Sequence, residues 1–324
     1  MDTKAGARNN VLLSVIVTTY NHEKYIAQAL DSILQQKVDF PIEVLVGEDK
    51  STDNTKVILQ DYEKRYPVFF TMFYREENMN DGPVGNDLDL RYRSRGKYVI
   101  LLEGDDYWTD PFKLQKQVDF LETHPDYIAV AHNCIVVDEN SNPTGETYPE
   151  CHQSEYTLKH YASGIVPGQT TTMLMRNFYI DNSVNLSLIR KRLTPGDRCT
   201  MFTLVCNGRV HCIQEQMSAY RHVIKGGSSF SANYKPDFAR KQELLFGLVE
   251  YSRDLNNTEA LRCAEYLYFK EILFGLYKSH SINKKTAYVY LKRVRHFPRA
   301  LVCIVLSEVH RKVFRLSGKP YVCI

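Results

Sequence analysis

Residues 99–111, Val99-Ile100-Leu101-Leu102-Glu103-Gly104-Asp105-Asp106-Tyr107-Trp108-Thr109-Asp110-Pro111, decide how this chain is read. The first four form an apolar run with the length and composition of a parallel strand buried on both faces. Glu103, Asp105 and Asp106 then put three carboxylates at the strand's C-terminal end, the edge where open α/β sheets bind ligands. Asp110-Pro111 reads as N-cap and first position of a helix that continues through Leu114, Val118 and Leu121 at helical spacing. Three acids within four residues repel one another, so gathering them at a strand end calls for a compensating cation. Hard divalent ions such as Mg²⁺ or Mn²⁺ take carboxylate oxygens and keep positions for water and phosphate. A solvated acidic turn is the plain alternative; the place directly after a buried strand favours the metal and phosphate.

Working outward, 324 residues exceed the usual single-domain size, which suggests one large α/β domain with an appended segment. The hydrophobic fraction of 44% and charged fraction of 24% are those of an ordinary folded protein. A net charge of +3 is close to neutral, and no nucleic-acid partner is expected. No run approaches the roughly 18–20 apolar residues of a membrane span. The opening MDTKAGARNN lacks the apolar core of a secretory signal, so a cytoplasmic location is the default expectation. The eight cysteines are scattered without a CxxC pair, as expected of buried free thiols in a reducing compartment.

Leu12 to Val17 is a β-rich run that ends in the polar turn Thr18-Thr19-Tyr20-Asn21. A helix follows, with Tyr25, Ile26, Ala29, Leu30, Ile33 and Leu34 on one face. Ile42 to Gly47 is a second strand, again ending in acids, Glu48 and Asp49, and Ser51-Thr52-Asp53 offers capping chemistry for the next helix. Val68 to Tyr74 is a third strand. This alternation predicts a mostly parallel sheet flanked by helices, with three polar turns (18–21, 48–52, 103–106) on one edge. Gly82-Pro83 signals a turn, and Arg91, Arg93 and Arg95 form a basic cluster read first as a solvated face.

TTYNHEKYIAQALDSILQQ, VGEDKSTDNT and GKYVILLEGDDYWTDPFKLQKQVDFLETHP, in that order, resemble the N-terminal signature of family 2 glycosyltransferases, which have the GT-A fold. The resemblance is close over residues 12–135 and looser to about 231. It implies transfer of a sugar, hexosyltransferase-like, from a nucleoside diphosphate sugar to an acceptor hydroxyl, with inversion and with Mn²⁺ or Mg²⁺. It also implies that Thr18 and Tyr20 line the base pocket and that Asp49 accepts a hydrogen bond from the base. A carboxylate there suits the ring N–H of uracil, thymine or guanine and repels cytosine. Capping the following helix is the structural alternative for Asp49. Glu103 stands where the family usually has Asp, toward the ribose or a water. Asp105 matches the direct metal ligand, and Asp106 an orienting group. Trp108 would shield the sugar or belong to the core.

Further along, Tyr127 to Val137 reads as a strand pair around the turn 138–145, and Gly168 to Met175 and Val210 to Gln214 as strands. Thr194-Pro195-Gly196-Asp197 opens a helix, and Asp197 lies where the family places its catalytic base; a plain N-cap is its alternative. Glu215 is the reserve base. His222 is a candidate to complete the metal sphere, and Ser228 to Ser231, behind Gly226-Gly227, a loop to close on the diphosphate. The competing class is a non-catalytic nucleotide-sugar or glycan-binding module on the same fold. A nucleotidyltransferase would need a Gly-rich triphosphate loop after the first strand, which Thr18 to Asn21 is not. The acceptor implied is a glycan or lipid-linked glycan.

The expected domain division is 1–235 for the transferase and 236–324 for a helical C-terminal extension. From Lys284 to Lys319 there are ten basic residues against one acid, Glu308, so this stretch carries +9 and the remainder −6. Val302, Leu306, Val309, Val313 and Leu316 recur at helical spacing. Residues 281–324 are therefore expected either to dock on an anionic membrane surface, peripherally on its inner face, or to pack back on the domain.

Overall fold

The computed structural model describes residues 11–79, 84–223 and 237–294. The chain begins β1 (Leu13–Thr19), α1 (Ile26–Leu34), β2 (Ile42–Glu48), α2 (Thr55–Arg65), β3 (Phe70–Tyr74), α3 (Asn86–Arg93) and β4 (Tyr98–Glu103). It continues with β5 (Tyr107–Trp108), α4 (Lys113–Thr123), β6 (Tyr127–Val137), β7 (Glu155–Tyr156), β8 (Leu174–Arg176) and β9 (Arg209–Arg221). The nine strands form one sheet in the order β3-β2-β1-β4-β8-β6-β9-β5, with β7 off this path. β1 pairs in parallel with β2 and β4, β2 with β3, and β6 with β9. The α/β class and mostly parallel sheet are as expected.

β1, β2 and β4 are buried along nearly their whole length, which explains their unbroken apolar runs: neither face meets water. α1 covers them with Ile26, Ala29, Leu30 and Ile33. Each of these leucine and isoleucine side chains contributes about 1.5–3 kcal/mol on burial, far more than any exposed ion pair, so this packing sets the register. In that register Thr18 lies opposite both Gly47 and Glu103. The three polar turns therefore share the C-terminal edge. At the other end, Ser14 Oγ donates to Glu43 Oε1 at 2.7 Å and Arg95 Nε to Glu43 Oε2 at 2.8 Å. Arg93 pairs with Asp89 at 2.8 Å, and buried Arg91 lies 5.1 Å from the Tyr179 ring centre. Of the arginine cluster, Arg91 is thus part of the scaffold, while Arg93 and Arg95 are exposed, as expected of a solvated face.

Several boundaries differ from expectation. α4 starts two residues late because Asp110 Oδ1 accepts from Phe112 N at 2.8 Å, an Asx-type turn, while Lys116 Nζ takes its other oxygen. Tyr127–Val137 is one strand rather than a pair, because β8 and β9 occupy its two edges; only the bridge Val137–Pro143 follows it. In the segment 168–175, Gln169 Oε1 accepts from Thr171 N at 2.7 Å and folds Thr170–Thr172 into a 3₁₀ turn before β8. The strand expected at 210–214 runs on to Arg221.

The described residues form two compact units, 11–155 with 167–184 and 208–223, and 156–166 with 185–207 and 237–294. Residues 156–166 and 185–207, which lie on the transferase side of the expected boundary at 235, group with the C-terminal helices. That second unit contains the helices Gly196–Asn207, Phe238–Asp254, Thr258–Tyr277 and Lys284–Leu291. Gly82-Pro83 and the expected closing loop, Gly226 to Ser231, lie outside the described residues.

Candidate active site

The turns after β1 and β2 are tied to each other by side chains at their tips. Asn21 N donates to Ser51 Oγ at 3.0 Å, and Asn21 Oδ1 accepts from Thr52 N at 2.8 Å. His22 N donates to Thr55 Oγ1 at 2.8 Å, Glu23 N to Asp53 Oδ2 at 3.0 Å, and Asn54 N to Glu23 Oε2 at 2.9 Å. Asn21 and Lys50 take left-handed backbone, φ 56° and 62°, to make the corners. Asp53, whose Oδ1 accepts from Thr55 N at 2.9 Å, supplies the capping chemistry of α2. Asp49 does not cap that helix: it is buried, and Oδ1 accepts from Met79 N at 2.8 Å. Thr18 and Tyr20 are half-buried at the end of β1, and the Thr18 carbonyl accepts from Gly104 N at 2.9 Å.

Glu103, Asp105 and Asp106 each bring a carboxylate oxygen within 4.8 Å of the others. Gly104 is required between them, because a Cβ there would lie 2.8 Å from Thr19 Oγ1 and 2.9 Å from His22 Nδ1. Asp106 is buried and both its oxygens are engaged: Oδ1 accepts from Arg221 N at 2.8 Å, Oδ2 from Gln169 Nε2 at 2.9 Å. Burial, then the charges of Asp105 and Glu103, push its carboxyl well above the usual range. Asp105 Oδ2 lies 3.8 Å from His22 Nε2, and burial holds that imidazole below its ordinary pKa against the pull of Asp105. Buried Arg221 brings one positive charge to the turn, so part of the repulsion is met within the chain. Three carboxylates against one guanidinium still leave a negative, all-oxygen donor set, which fits Mg²⁺ or Mn²⁺.

The other candidates have surroundings of their own. Trp108 is core, 3% exposed, with Nε1 donating to the Thr171 carbonyl at 3.2 Å. Glu215 is exposed and paired with Lys116. His222 Nδ1 is 2.7 Å from Glu146 Oε2, and His222 is not among the three residues whose ligand atoms lie within 4.8 Å of one another. Asp197 belongs to the second unit, in the first turn of its helix, with Oδ1 accepting from Arg198 N at 2.7 Å. Burial raises its carboxyl above the ordinary value. His22, Gln169 and Arg221 escaped the sequence reading. Their only local signals are a His just past a strand end, a Gly-Gln before a threonine run and an Arg ending a strand.

The family model for glycosyl transferase family 2 matches residues 14–184. An uncharacterised protein of Mycobacterium tuberculosis is 33% identical over 220 residues, which are 66% of this chain and 60% of that protein. Staphylococcus aureus TarS, residues 1–349 in complex with UDP-GlcNAc, superposes with a TM-score of 0.63 at 18% identity, over 93% of this chain and 85% of that one. The mannosyltransferase PcManGT from Pyrobaculum calidifontis, in complex with GDP-Man and Mn²⁺, gives 0.51 at 17%, over 94% and 81%. The last two likenesses concern the fold. A model match over more than half the chain, spanning the strand that carries the acidic turn, places this protein in glycosyl transferase family 2.

Proposed function

We propose that the protein transfers a sugar from a nucleoside diphosphate sugar, a UDP-sugar before others, to a hydroxyl of a glycan or lipid-linked acceptor, with inversion. The observation that carries this is the meeting of Glu103, Asp105 and Asp106 with Asp49 on one sheet edge: β1 pairs with both β2 and β4. In this reading Asp49 accepts the ring N–H of the base, Thr18 and Tyr20 line its pocket, and Glu103 faces the ribose. Asp105 would hold the divalent ion, with His222 as a further ligand through the ring nitrogen that does not meet Glu146, and Asp106 orients the turn through its bonds to Arg221 and Gln169. The ion supplies charge neutralisation for the departing diphosphate. Asp197 takes the proton from the acceptor hydroxyl as its oxygen bonds to the anomeric carbon, and the bond to the diphosphate breaks with its electron pair. The UDP-GlcNAc held by TarS and the GDP-Man and Mn²⁺ held by PcManGT support this class of donor.

A panel of nucleoside diphosphate sugars, assayed for released nucleoside diphosphate with and without chelator, tests the proposal. UDP-sugars are expected to turn over, and chelator to stop the reaction. Full activity in excess chelator would sink the metal assignment. Tight donor binding with neither hydrolysis nor transfer would favour the binding module.

A further inference from the structure

Arg221, the last residue of β9, is 2% exposed. Its N–H holds Asp106 Oδ1, and its Nε donates to the Asp105 carbonyl at 2.9 Å. Nη1 donates to the Asp138 carbonyl at 2.8 Å, and Nη2 to Gln28 Oε1 at 2.9 Å and Ser141 Oγ at 3.1 Å. The guanidinium lies 4.3 Å from the Tyr25 ring centre and 5.7 Å from that of Tyr107. A guanidinium taken out of water needs matched donors, and here α1, the turn 138–141 and the acidic turn all match them. Only a planar fork can satisfy three such directions at once; the point charge of lysine cannot.

We infer that Arg221 is a positioning residue, which holds the acidic turn preformed for a divalent cation and a diphosphate. The inference rests on the metal reading above. Removing Arg221 has two opposed effects: losing the clamp weakens cation binding, while losing a like charge strengthens it. The bonds decide between them, because the side chain grips the backbone of the turn at the Asp105 carbonyl. The direction in which the Asp105 carboxylate leaves the chain then depends on that grip.

The test titrates Mn²⁺ into the purified full chain, reading free ion by electron paramagnetic resonance without sugar nucleotide. Circular dichroism and thermal melting report folding. Arg221→Lys and Arg221→Met are both expected to weaken Mn²⁺ binding about 10–100-fold. Gln28→Ala and Ser141→Ala, which each remove one partner and no charge, are expected to weaken it by a smaller factor. A folded Arg221→Met that binds Mn²⁺ as tightly as wild type, or more tightly, overturns the inference. Should neither Arg221 variant fold, unchanged Mn²⁺ binding in both alanine variants overturns it. Wild-type protein that binds no Mn²⁺ overturns the metal reading itself, and the inference with it.

Discussion

Two aspartates carry the reaction proposed for this chain, and their surroundings call for different behaviour. Asp105 is a half-buried carboxylate beside His22, so Asp105→Asn removes a ligand charge at nearly constant shape. That variant is expected to lose Mn²⁺-dependent donor binding, read by calorimetry with and without the ion. Asp197→Asn should bind donor as wild type does and lose about 10²–10⁴ in kcat, the worth of a positioned base. Near wild-type turnover would place the base elsewhere. The raised carboxyl of Asp197 adds a pH signature. A base works only when ionised, so kcat/KM is expected to fall as pH drops through a value above the ordinary carboxylate pKa of about 3.9. That acid limb should vanish in Asp197→Asn. The helix N-terminus favours the ionised form, and burial outweighs it.

At the scale of elements, α4 opens on a lysine with no exposed surface. Lys113 Nζ donates to Gln117 Oε1 at 2.7 Å and sits 4.2 Å from the Trp108 ring centre, while Gln117 Nε2 donates to the carbonyls of Val130 and Thr172. This polar seam joins α4 to β6 and the 3₁₀ turn beside Gln169. Burial drives the Lys113 pKa well below its ordinary value, with Asp110 opposing. The sign follows: above that depressed pKa the folded chain holds Lys113 neutral, while the unfolded chain still binds its proton up to about pH 10.4. Stability from this group is therefore present at high pH and is lost as pH falls. The stability difference between wild type and Lys113→Met should move in favour of wild type by up to about 1.4 kcal/mol per pH unit as pH rises from that depressed pKa towards about 10.4. Urea unfolding at several pH values measures it, and a flat difference would mean that Lys113 is charged in the fold.

For the whole molecule, the feature to explain is the segregation of +9 into residues 284–319. Up to Val294 the segment packs within the second unit. Ala287 and Val294 are buried, Tyr268 Oη donates to the Tyr290 carbonyl at 2.9 Å, and Arg293 Nη1 to Glu243 Oε1 at 2.7 Å. Tyr288 and Val289 are exposed beside them. Residues 295–324, with six of the ten basic side chains, lie outside the described residues. Among the described residues no helix is long and apolar enough to cross a membrane. Peripheral docking of this segment on an anionic bilayer is a proposal with a direct test. The full chain should sediment with anionic but not neutral vesicles at low salt and be released at high salt, and a chain ending at Val294 should stay in solution. Binding that ignores lipid charge would remove it.

Local pattern alone specified the parallel strands, the polar turns on one edge, and Asp49 and Asp105 at strand ends. Apolar runs and helical periodicity depend on neighbours within a few residues, and a parallel sheet has one ligand edge. The same patterns misplaced the start of α4, where the Asp110 side chain takes the Phe112 amide, and they split β6 in two and left Arg91 in solvent, because strand neighbours and the partners of a buried side chain lie far away in sequence. Only the folded chain brings Arg221 to Asp105 and Asp106, and Gln169 to Asp106, across 116, 115 and 63 positions. Such bonds leave no periodic trace. They form where burial deprives an arginine and an aspartate of water and every remaining donor and acceptor must find a partner in the protein.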